Sequence, residues 1–508
     1  RKPSSQDSTG PKIPRQVILS GTAQAGDEPD VVLRGRISGA DHQTYRLVPF
    51  DVPPGISRIT VEFDYTGREE RTTIDIGLLG PDGFAGPDGF RGWSGGNKRT
   101  FTVSATDATP SYLPGVLTPG RWSLLLGVPN IRAGREDEFT AKLYFSRADA
   151  QQEDAGVQGT PLRAQEGWYR GDLHLHTGHS DGSCSSRSGA RVPCPLFLTL
   201  AGAVERGLDF VAVTEHNTIS HVRELRSLQP YFDDLLLISG MEVTTFQGHA
   251  NAFGVTRPVD FRVGSEAVPD WNALLETLAE RGVVVSINHP AVPSGEMCMG
   301  CGWRPQPQAD LRRVQAIEVV NGADADTPIS GIPFWHRLLD QGHRLTGIGG
   351  SDNHDPTLAG AELGRPRIGV PTTVVYAQSL STSAILEGLR SGRVFIDVQG
   401  SSDRMLEFSM RTARAEASMG DELQLRAGEQ ADVIIRVSNV PGGSIELIRD
   451  GKSVPVSPGA KITAAEHEVT FVEKGDGRRH WLRVDVRDAE GKLALVGNPI
   501  YLNREAAK

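Results

Sequence analysis

The stretch Gly171-Asp-Leu-His-Leu-His-Thr-Gly-His-Ser-Asp-Gly182 decides how the central part of this chain is interpreted. Apolar and polar residues alternate from Asp172 to His176, which is typical of a short strand. Side chains two residues apart on a strand point to the same face, so His174 and His176 can share one divalent ion. The stretch therefore predicts a strand that carries a pair of metal ligands.

Ligand-type residues also stand where the later strand-like segments end. They are His216 after residues 211–215, Glu242 after residues 236–241 with His249 beyond it, His289 after residues 283–288, and Asp352 and His354 after residues 347–351. Ten of the 13 histidines fall between His174 and His354, and Asp181 adds a carboxylate near the first pair. This clustering favours a centre of mixed histidine and carboxylate ligands, which suits Zn, Mn or Fe alike.

Composition excludes several other classes of protein. The chain has 508 residues and a net charge of −10, which argues against a broad nucleic-acid surface. No apolar run approaches the roughly 18 residues of a membrane span. Because the chain begins at Arg1 without an initiator Met, we expect a processed form that is periplasmic or secreted.

The four cysteines, Cys184, Cys194, Cys298 and Cys301, all lie in the ligand-bearing region. In an exported protein they would most simply form two disulfides, which we predict to join Cys184 to Cys194 and Cys298 to Cys301. A structural zinc site is the rival interpretation, since the spacing of Cys298 and Cys301 suits a metal. Free or redox-active thiols are a third alternative.

The pattern of strands, turns and amphipathic stretches predicts several domains. We predict a disordered leader at 1–13, an N-terminal β-sandwich at 14–146, a linker at 147–165, an α/β domain at 166–400 and a C-terminal β-sandwich at 401–508. Short alternating runs between Pro and Gly turns indicate the sandwiches. In the central domain, strand-like runs alternate with amphipathic stretches at 196–206, 221–228, 271–281, 333–341 and 383–390. This alternation favours a parallel barrel whose functional groups lie at the carboxyl ends of its strands.

Six motifs, in order, carry a resemblance to a known family. They are Asp-Leu-His-x-His…Ser-Asp-Gly, Thr-Glu-His-Asn-Thr, Gly-Met-Glu-Val-Thr-Thr…Gly-His, Asn-His-Pro, Glu-Val-x-Asn and Gly-Ser-Asp-x-His. The series resembles that of the PHP superfamily, the polymerase and histidinol phosphatase domains. In the N-terminal flank, Asp75-Ile-Gly-Leu-Leu-Gly-Pro-Asp-Gly, Gly89-Phe-Arg-Gly-Trp-Ser-Gly-Gly and Tyr112-Leu-Pro-Gly resemble the CehA/McbA group, which includes a carbaryl hydrolase.

The resemblance implies a fold and a set of metal ligands. The fold is a distorted (β/α)7 barrel of PHP type, flanked by N- and C-terminal β-sandwich domains, and it binds two or three divalent ions. By motif, the first ion would take His174, His176, Glu242 and Asp352, the second Glu242, His249 and His289, and the third Asp181, His216 and His354. Two positions depart from the usual pattern, since Glu215 stands where Asp is usual and Asn288 where Ala is commoner. Glu215 is therefore a candidate either for orienting ligands or for carrying a proton.

These observations predict a metal-dependent hydrolase acting on a small molecule, most simply a phosphoesterase that uses a hydroxide bridging two ions. The catalytic candidates are Glu242, Asp352 and Glu215. Candidates for clamping substrate oxygens are arginines on predicted loops, namely Arg187, Arg191, Arg304, Arg365 and Arg367. One alternative is a hydrolase of carbamates, esters or amides, since a neutral carbonyl needs only two ions. A non-catalytic secreted binding protein is an alternative from another class.

Overall fold

The structure is a computed structural model that describes residues 28–504, apart from 85, 87–88, 96–97, 148–160, 359–364 and 457. The chain divides into two compact units, one of Arg1–Pro54 with Arg58–Phe145 and one of Gly55–Ser57 with Ser146–Lys508. The predicted leader and most of the predicted linker lie outside the described residues. In the part of the chain that is described, no helix is long and apolar enough to cross a membrane.

The first unit contains two four-stranded sheets. Its strands are β1 (Val31–Ser38), β2 (Thr44–Val52), β3 (Ile56–Tyr65), β4 (Thr73–Leu79), β5 (Phe90–Ser94), β6 (Thr100–Ser104), β7 (Gly120–Asn130) and β8 (Glu136–Arg147). The strand orders are β1-β8-β3-β6 and β2-β7-β4-β5. On β7, the alternate residues Trp122, Leu124 and Leu126 are fully buried. Strand β7 therefore presents an apolar face to the core, as the alternating sequence pattern predicts.

The second unit carries all of the predicted metal ligands. As far as residue 400 its strands are β9 (Gly167–Asp172), β10 (Ser183–Ser185), β11 (Arg191–Pro193), β12 (Phe210–His216), β13 (Leu236–Thr245), β14 (Gly248–Phe253), β15 (Val284–Ile287), β16 (Ala316–Asn321), β17 (Thr346–Gly350), β18 (Thr372–Ala377) and β19 (Val394–Asp397). Its helices are α1 (Leu196–Glu205), α2 (Val222–Leu228), α3 (Trp271–Glu280), α4 (Ile332–Asp340) and α5 (Thr382–Ser391). These helices fall on the five amphipathic stretches of the sequence.

Ten strands follow residue 400, and six of them share a sheet with the central strands. The ten are β20 (Met405–Arg411), β21 (Glu416–Ser418), β22 (Glu422–Leu423), β23 (Gln430–Ser438), β24 (Ser444–Arg449), β25 (Lys452–Val454), β26 (Glu466–Lys474), β27 (His480–Arg487), β28 (Leu493–Gly497) and β29 (Ile500–Leu502). Strands β20, β21, β23 and β26 form a separate four-stranded sheet. Because β28 pairs antiparallel with β19, the remaining strands extend the central sheet to 15 strands.

The prediction of an α/β fold with a distorted (β/α)7 barrel of PHP type is wrong. Of the described residues, 42% lie in strands and 12% in helices, and only five α-helices are present among them. The central sheet is mixed, with the order β17-β16-β15-β14-β13-β12-β9-β18-β19-β28-β27-β24-β25. The chain reverses its direction between β13 and β14 in a tight turn at Phe246 and Gln247, and β14 also runs antiparallel to β15. A hairpin therefore connects β13 to β14 where the predicted barrel requires a helical crossover, and β14 pairs antiparallel with β15 although α3 lies between them in sequence.

The sheet nevertheless brings the predicted ligands to one edge. Strands β9, β12 and β13 are mutually parallel, so their carboxyl ends lie side by side. The segment after β17 returns to the segment after β9, where Leu175 and Asn353 form a parallel bridge. The ends of these four strands thus surround a common space.

Glycines on β17 allow the close packing beneath this space. A Cβ atom on Gly347 would lie 2.7 Å from the ring of Trp335, which is fully buried. On Gly350, a Cβ atom would lie 2.5 Å from the Cβ of His174 and 2.6 Å from Glu318 Oε2. The small residues of β17 therefore permit helix α4 and the ligand His174 to approach the strand.

We predict that Gly347→Ala destabilises the protein by about 1–3 kcal/mol, because the added methyl group overlaps the ring of Trp335. The matched control is Gly167→Ala, where a Cβ atom meets nothing within 4 Å and we expect a change within about 0.5 kcal/mol. Urea unfolding of both variants measures the difference. Equal stability of the two variants would contradict the packing described here.

Candidate metal centre

Backbone hydrogen bonds set the first ligands beside each other. Asp352 N donates to His174 O at 2.9 Å, and His176 N donates to Asn353 O at 2.9 Å. Asp352 and His289 have φ values of 57° and 28°, in the left-handed region that side chains other than glycine rarely adopt. Such conformations persist only where the surrounding structure holds them, and they concentrate at functional sites.

The first group of donor atoms consists of His174, His176 and Asp352. The Nε2 atoms of His174 and His176 lie 3.1 Å apart. Asp352 Oδ1 lies 3.3 Å from His174 Nε2 and 3.1 Å from His176 Nε2. Glu242 Oε2 lies 3.4 Å and 3.3 Å from the same two nitrogens. The four side chains predicted for the first ion therefore converge.

The second group surrounds the other oxygen of Glu242. Its Oε1 atom lies 3.3 Å from His249 Nδ1 and 3.2 Å from His289 Nε2. Glu242 is buried, and its two oxygens face different sets of imidazoles. This is the geometry of a carboxylate that bridges two adjacent ions. Cys301 lies beside this group as well. Its sulfur and one ring nitrogen each of His249 and His289 lie within 4.8 Å of one another.

The third group consists of His176, Asp181, His216 and His354. Asp181 Oδ1 lies 3.3 Å from His354 Nε2 and 3.6 Å from His216 Nε2. The side chains of Asp181 and His354 are 59% and 38% exposed, whereas that of Glu242 is only 1% exposed. The donor cluster therefore opens to solvent at its third group.

The tautomers of three histidines can be inferred from their partners. His249 Nε2 lies 3.2 Å from Met299 O, and His354 Nδ1 lies 2.8 Å from Asp352 O. A carbonyl oxygen can only accept, so these ring nitrogens donate and the opposite nitrogens are left as potential ligands. His174 Nδ1 likewise faces Glu318 Oε2 at 2.7 Å, which leaves Nε2 for the donor cluster.

The residues fit divalent ions on physical grounds. His249 Nδ1, which faces Glu242 Oε1 at 3.3 Å, is buried and makes no hydrogen bond among the described atoms. Burial would raise the pKa of Glu242, but the imidazoles, His174 foremost, lower it well below its usual value. Burial lowers the pKa of His174, yet the nearby carboxylates raise it well above the ordinary value. The cluster therefore favours added positive charge, which a divalent ion supplies.

Glu318 is a residue whose role the sequence analysis missed. Besides facing His174, its Oε1 atom accepts from His289 N at 3.1 Å and from Asn321 Nδ2 at 2.7 Å. One carboxylate thereby orients two ligand-bearing segments. The signal was present, because Glu318 and Asn321 form the Glu-Val-x-Asn motif, to which no role was given. Asn288, noted only as a departure from the family pattern, donates to Glu242 Oε1 at 3.0 Å.

Glu215 supports the turn that carries Asp181. Its buried carboxylate accepts from Thr177 N at 3.0 Å and from the hydroxyl groups of Thr177 and Ser180. These donors occupy both oxygens, which indicates that Glu215 positions the loop. His179 makes its contacts outside the donor groups, to Ser220 Oγ at 2.8 Å and Glu224 Oε2 at 2.7 Å.

The five candidate arginines take different positions. Arg191 pairs with Asp355 Oδ2 at 2.6 Å, next in sequence to His354. Four of the five are exposed, namely Arg187, Arg191, Arg304 and Arg365. The fifth, Arg367, lies near Arg206. Burial lowers the pKa of the Arg206 guanidinium, and the positive charge of Arg367 lowers it further. Their part in substrate binding stays a prediction.

Both cysteine pairs are disulfides, with Cα atoms 5.0 Å apart for Cys184–Cys194 and 5.6 Å apart for Cys298–Cys301. Cys194 is tied to the segment after β9, since its N donates to Gly182 O at 3.0 Å and its O accepts from Gly178 N at 2.7 Å. The first disulfide therefore holds the loop that carries Asp181. The second lies beside His249.

No model of a protein family matches the chain, and a search of curated proteins finds no match. The assignment of function therefore rests on the geometry of the donor groups and on the motifs of the sequence.

We predict that Glu318→Gln lowers metal affinity roughly 10- to 100-fold, because a neutral amide holds the ring of His174 less firmly than a carboxylate does. Competition with a chelator measures the affinity. Glu166→Gln, at an exposed position, is the matched control and should bind metal as the wild type does. An unchanged affinity in Glu318→Gln would show that Glu318 does not orient the ligands.

A second prediction concerns pH in the metal-free protein. Burial alone would lower the pKa of His354, but its hydrogen bond to Asp181 and the charge of Asp352 raise it from 6.5 to about 9. The folded protein then binds this proton more tightly than the unfolded chain does. The resulting stabilisation is complete below pH 6.5 and is lost as the pH rises through about 9.

Urea unfolding of chelator-treated protein between about pH 6 and pH 10 tests this expectation. Because the His354 side chain is 38% exposed, solvent screening should limit the loss to about 1 kcal/mol. The variant His354→Gln should lack this part of the pH dependence. If the free energy of unfolding varied with pH in the same way in both proteins, the raised pKa of His354 would be contradicted.

Proposed function

We propose that this protein is a metal-dependent hydrolase, and that its substrates are phosphate esters. The observation that carries the proposal is the position of Glu242, a buried carboxylate with five imidazoles within 3.4 Å among the described residues. The ordered motifs that resemble those of the PHP superfamily support the same conclusion.

Two or three divalent ions, of Zn, Mn or Fe, would be held by the three donor groups. When bound, such ions activate a water molecule near neutral pH and polarise the oxygen atoms of a substrate. Glu242 would bridge the first two positions, and Asp352 would complete the first. Asp181 would hold the third with His216 and His354.

The distribution of charge and burial supports an anionic substrate. Three divalent ions carry more positive charge than the carboxylates of Glu242, Asp352 and Asp181 can neutralise, so the loaded site would attract a phosphate group. The exposed side of the cluster, at Asp181 and His354, is where a substrate can approach. The buried side, at His174 and His176, keeps ligands away from water and in fixed orientations.

Hydrolysis of a carbamate, ester or amide is a second candidate, and a different observation favours it. Phe246, in the turn between β13 and β14, is 92% exposed, and Met299 is 73% exposed. Met299 contacts the ligand His249 through its carbonyl oxygen. An apolar rim beside the donor cluster suits a neutral substrate with an aromatic leaving group.

We also propose a periplasmic or secreted location. The two disulfides, Cys184–Cys194 and Cys298–Cys301, support it, because such bonds persist in oxidising compartments.

The variant Asp181→Ala separates the two candidate activities. Removing this carboxylate takes a ligand from the exposed third group and leaves the residues around Glu242 in place. Phosphoesterase activity should fall roughly 100-fold or more, since each 1.4 kcal/mol of lost transition-state stabilisation costs about tenfold in rate. Carbamate hydrolysis should fall far less, because the first two groups suffice for a neutral carbonyl.

The measurements are kinetics on bis-p-nitrophenyl phosphate and on a naphthyl carbamate, together with metal content by elemental analysis. Asp233→Ala, at an exposed position, serves as the control and should leave both rates and the metal content unchanged. Full phosphoesterase activity in Asp181→Ala with one ion missing would refute the role given to the third group. Bound metal below one ion per chain in the wild type after reconstitution would refute the metal centre itself.

A further inference from the structure

The disulfide Cys298–Cys301 lies within the second donor group. The sulfur of Cys301 and the nearest ring nitrogens of His249 and His289 all lie within 4.8 Å of one another, and all three residues are buried. His249 Nδ1 and His289 Nδ1 make no hydrogen bond among the described atoms. The sulfur of Cys301, a soft donor beside these two histidines, is thus already engaged in a disulfide bond.

The two cysteines differ in their exposure to solvent. Cys301 is fully buried, whereas Cys298 is half-buried and lies between the exposed residues Met297 and Met299. Cys298 is therefore the cysteine of this pair that is nearer to solvent, and we expect a small thiol to attack the disulfide there. In contrast, both cysteines of the other disulfide, Cys184 and Cys194, are buried.

The loop that carries Cys301 is held by contacts other than its disulfide. Trp303 N donates to Pro290 O at 3.1 Å, and Gly302 N donates to Ser294 Oγ at 2.9 Å. Gly300 has φ +75°, and a Cβ atom there would lie 2.1 Å from Thr245 O, so the loop packs directly on the hairpin of β13 and β14. Opening the disulfide would therefore leave Cys301 beside the histidines.

We propose that Cys298–Cys301 is a redox switch that controls the ligands of the second ion. In the oxidised protein, His249, His289 and Glu242 hold the ion. In the reduced protein, the thiolate of Cys301 joins them as a fourth ligand. This inference rests on the metal centre of the proposed function and adds to it a regulated ligand.

The exchange balances with a dithiol as reductant. One thiolate of the dithiol attacks the sulfur of Cys298, the bond between the sulfurs breaks, and its electron pair leaves on Cys301. The second thiol of the reductant then displaces Cys298, so the dithiol becomes a cyclic disulfide. Of the two protons released, one goes to the Cys298 thiol and the other to water, because Cys301 binds metal as a thiolate.

The chemical consequence is a change in metal preference. Without the thiolate, the second group offers imidazole and carboxylate donors, which accept Mn, Fe and Zn. A thiolate is a soft ligand that favours Zn over Mn. Reduction should therefore tighten binding of Zn at this position by at least about tenfold and leave binding of Mn nearly unchanged.

Cobalt is the probe for this proposal, because a thiolate bound to Co²⁺ gives a charge-transfer band in the near ultraviolet. The wild type is loaded with cobalt before and after treatment with dithiothreitol, which is removed by gel filtration without oxygen. Two matched variants each leave one free thiol of the pair, Cys298→Ser and Cys301→Ser. Neither variant needs a reductant to free its remaining thiol, so the Cys184–Cys194 disulfide stays intact in both.

We expect the band in reduced wild type and in Cys298→Ser, but neither in oxidised wild type nor in Cys301→Ser. Cobalt bound in every form without the band would overturn the switch and leave the metal centre standing. A band of equal strength in Cys301→Ser would assign the thiolate to Cys298 and would also overturn the proposal. If no form binds cobalt, the proposed metal centre fails together with the switch.

Discussion

The organisation of the second unit depends on one buried carboxylate, that of Glu242. A carboxylate with almost no access to water is unfavourable unless positive charge or donors surround it. Here the imidazoles supply this environment, with His174 and His176 on one oxygen and His249 and His289 on the other. The same arrangement leaves too many basic nitrogens for one carboxylate to satisfy. A divalent ion on each side would resolve both problems, which supports the proposed metal centre.

The sheet makes this convergence possible through three kinds of connection. Parallel pairing of β12 with β13 places His216 opposite Glu242 in the register. The tight hairpin from β13 to β14 then returns the chain, so that His249 lies opposite Thr244. Finally, the backbone bond from Asp352 N to His174 O joins the ends of β17 and β9. The candidate ligands thus come from several strands and from the segments that follow them, so no single local motif specifies the site.

The residues around the ligands show how the site is kept in register. Glu318 contacts His174 and the backbone of His289, and Glu215 fixes the turn that ends at Asp181. Neither carboxylate belongs to the donor groups, yet each sets the position of residues that do. Buried polar networks of this kind are rigid only when every member finds a partner. Two buried acidic residues, Glu318 and Glu215, therefore orient the candidate ligands without belonging to the donor groups.

The sequence by itself determined the residue types of the ligands and the positions of the five helices. Amphipathic periodicity marks a helix such as α3 locally, and clustered His and carboxylate residues need no fold to be noticed. Strand direction was not determined in this way, because a buried strand has the same apolar pattern in a hairpin as in a parallel crossover. Tertiary structure alone decided that β13 and β14 are antiparallel, that Glu318 orients His174 and that Cys301 meets His249. The contacts of Glu318 with His174 and of Cys301 with His249 join residues far apart in sequence, and their geometry depends on the whole sheet.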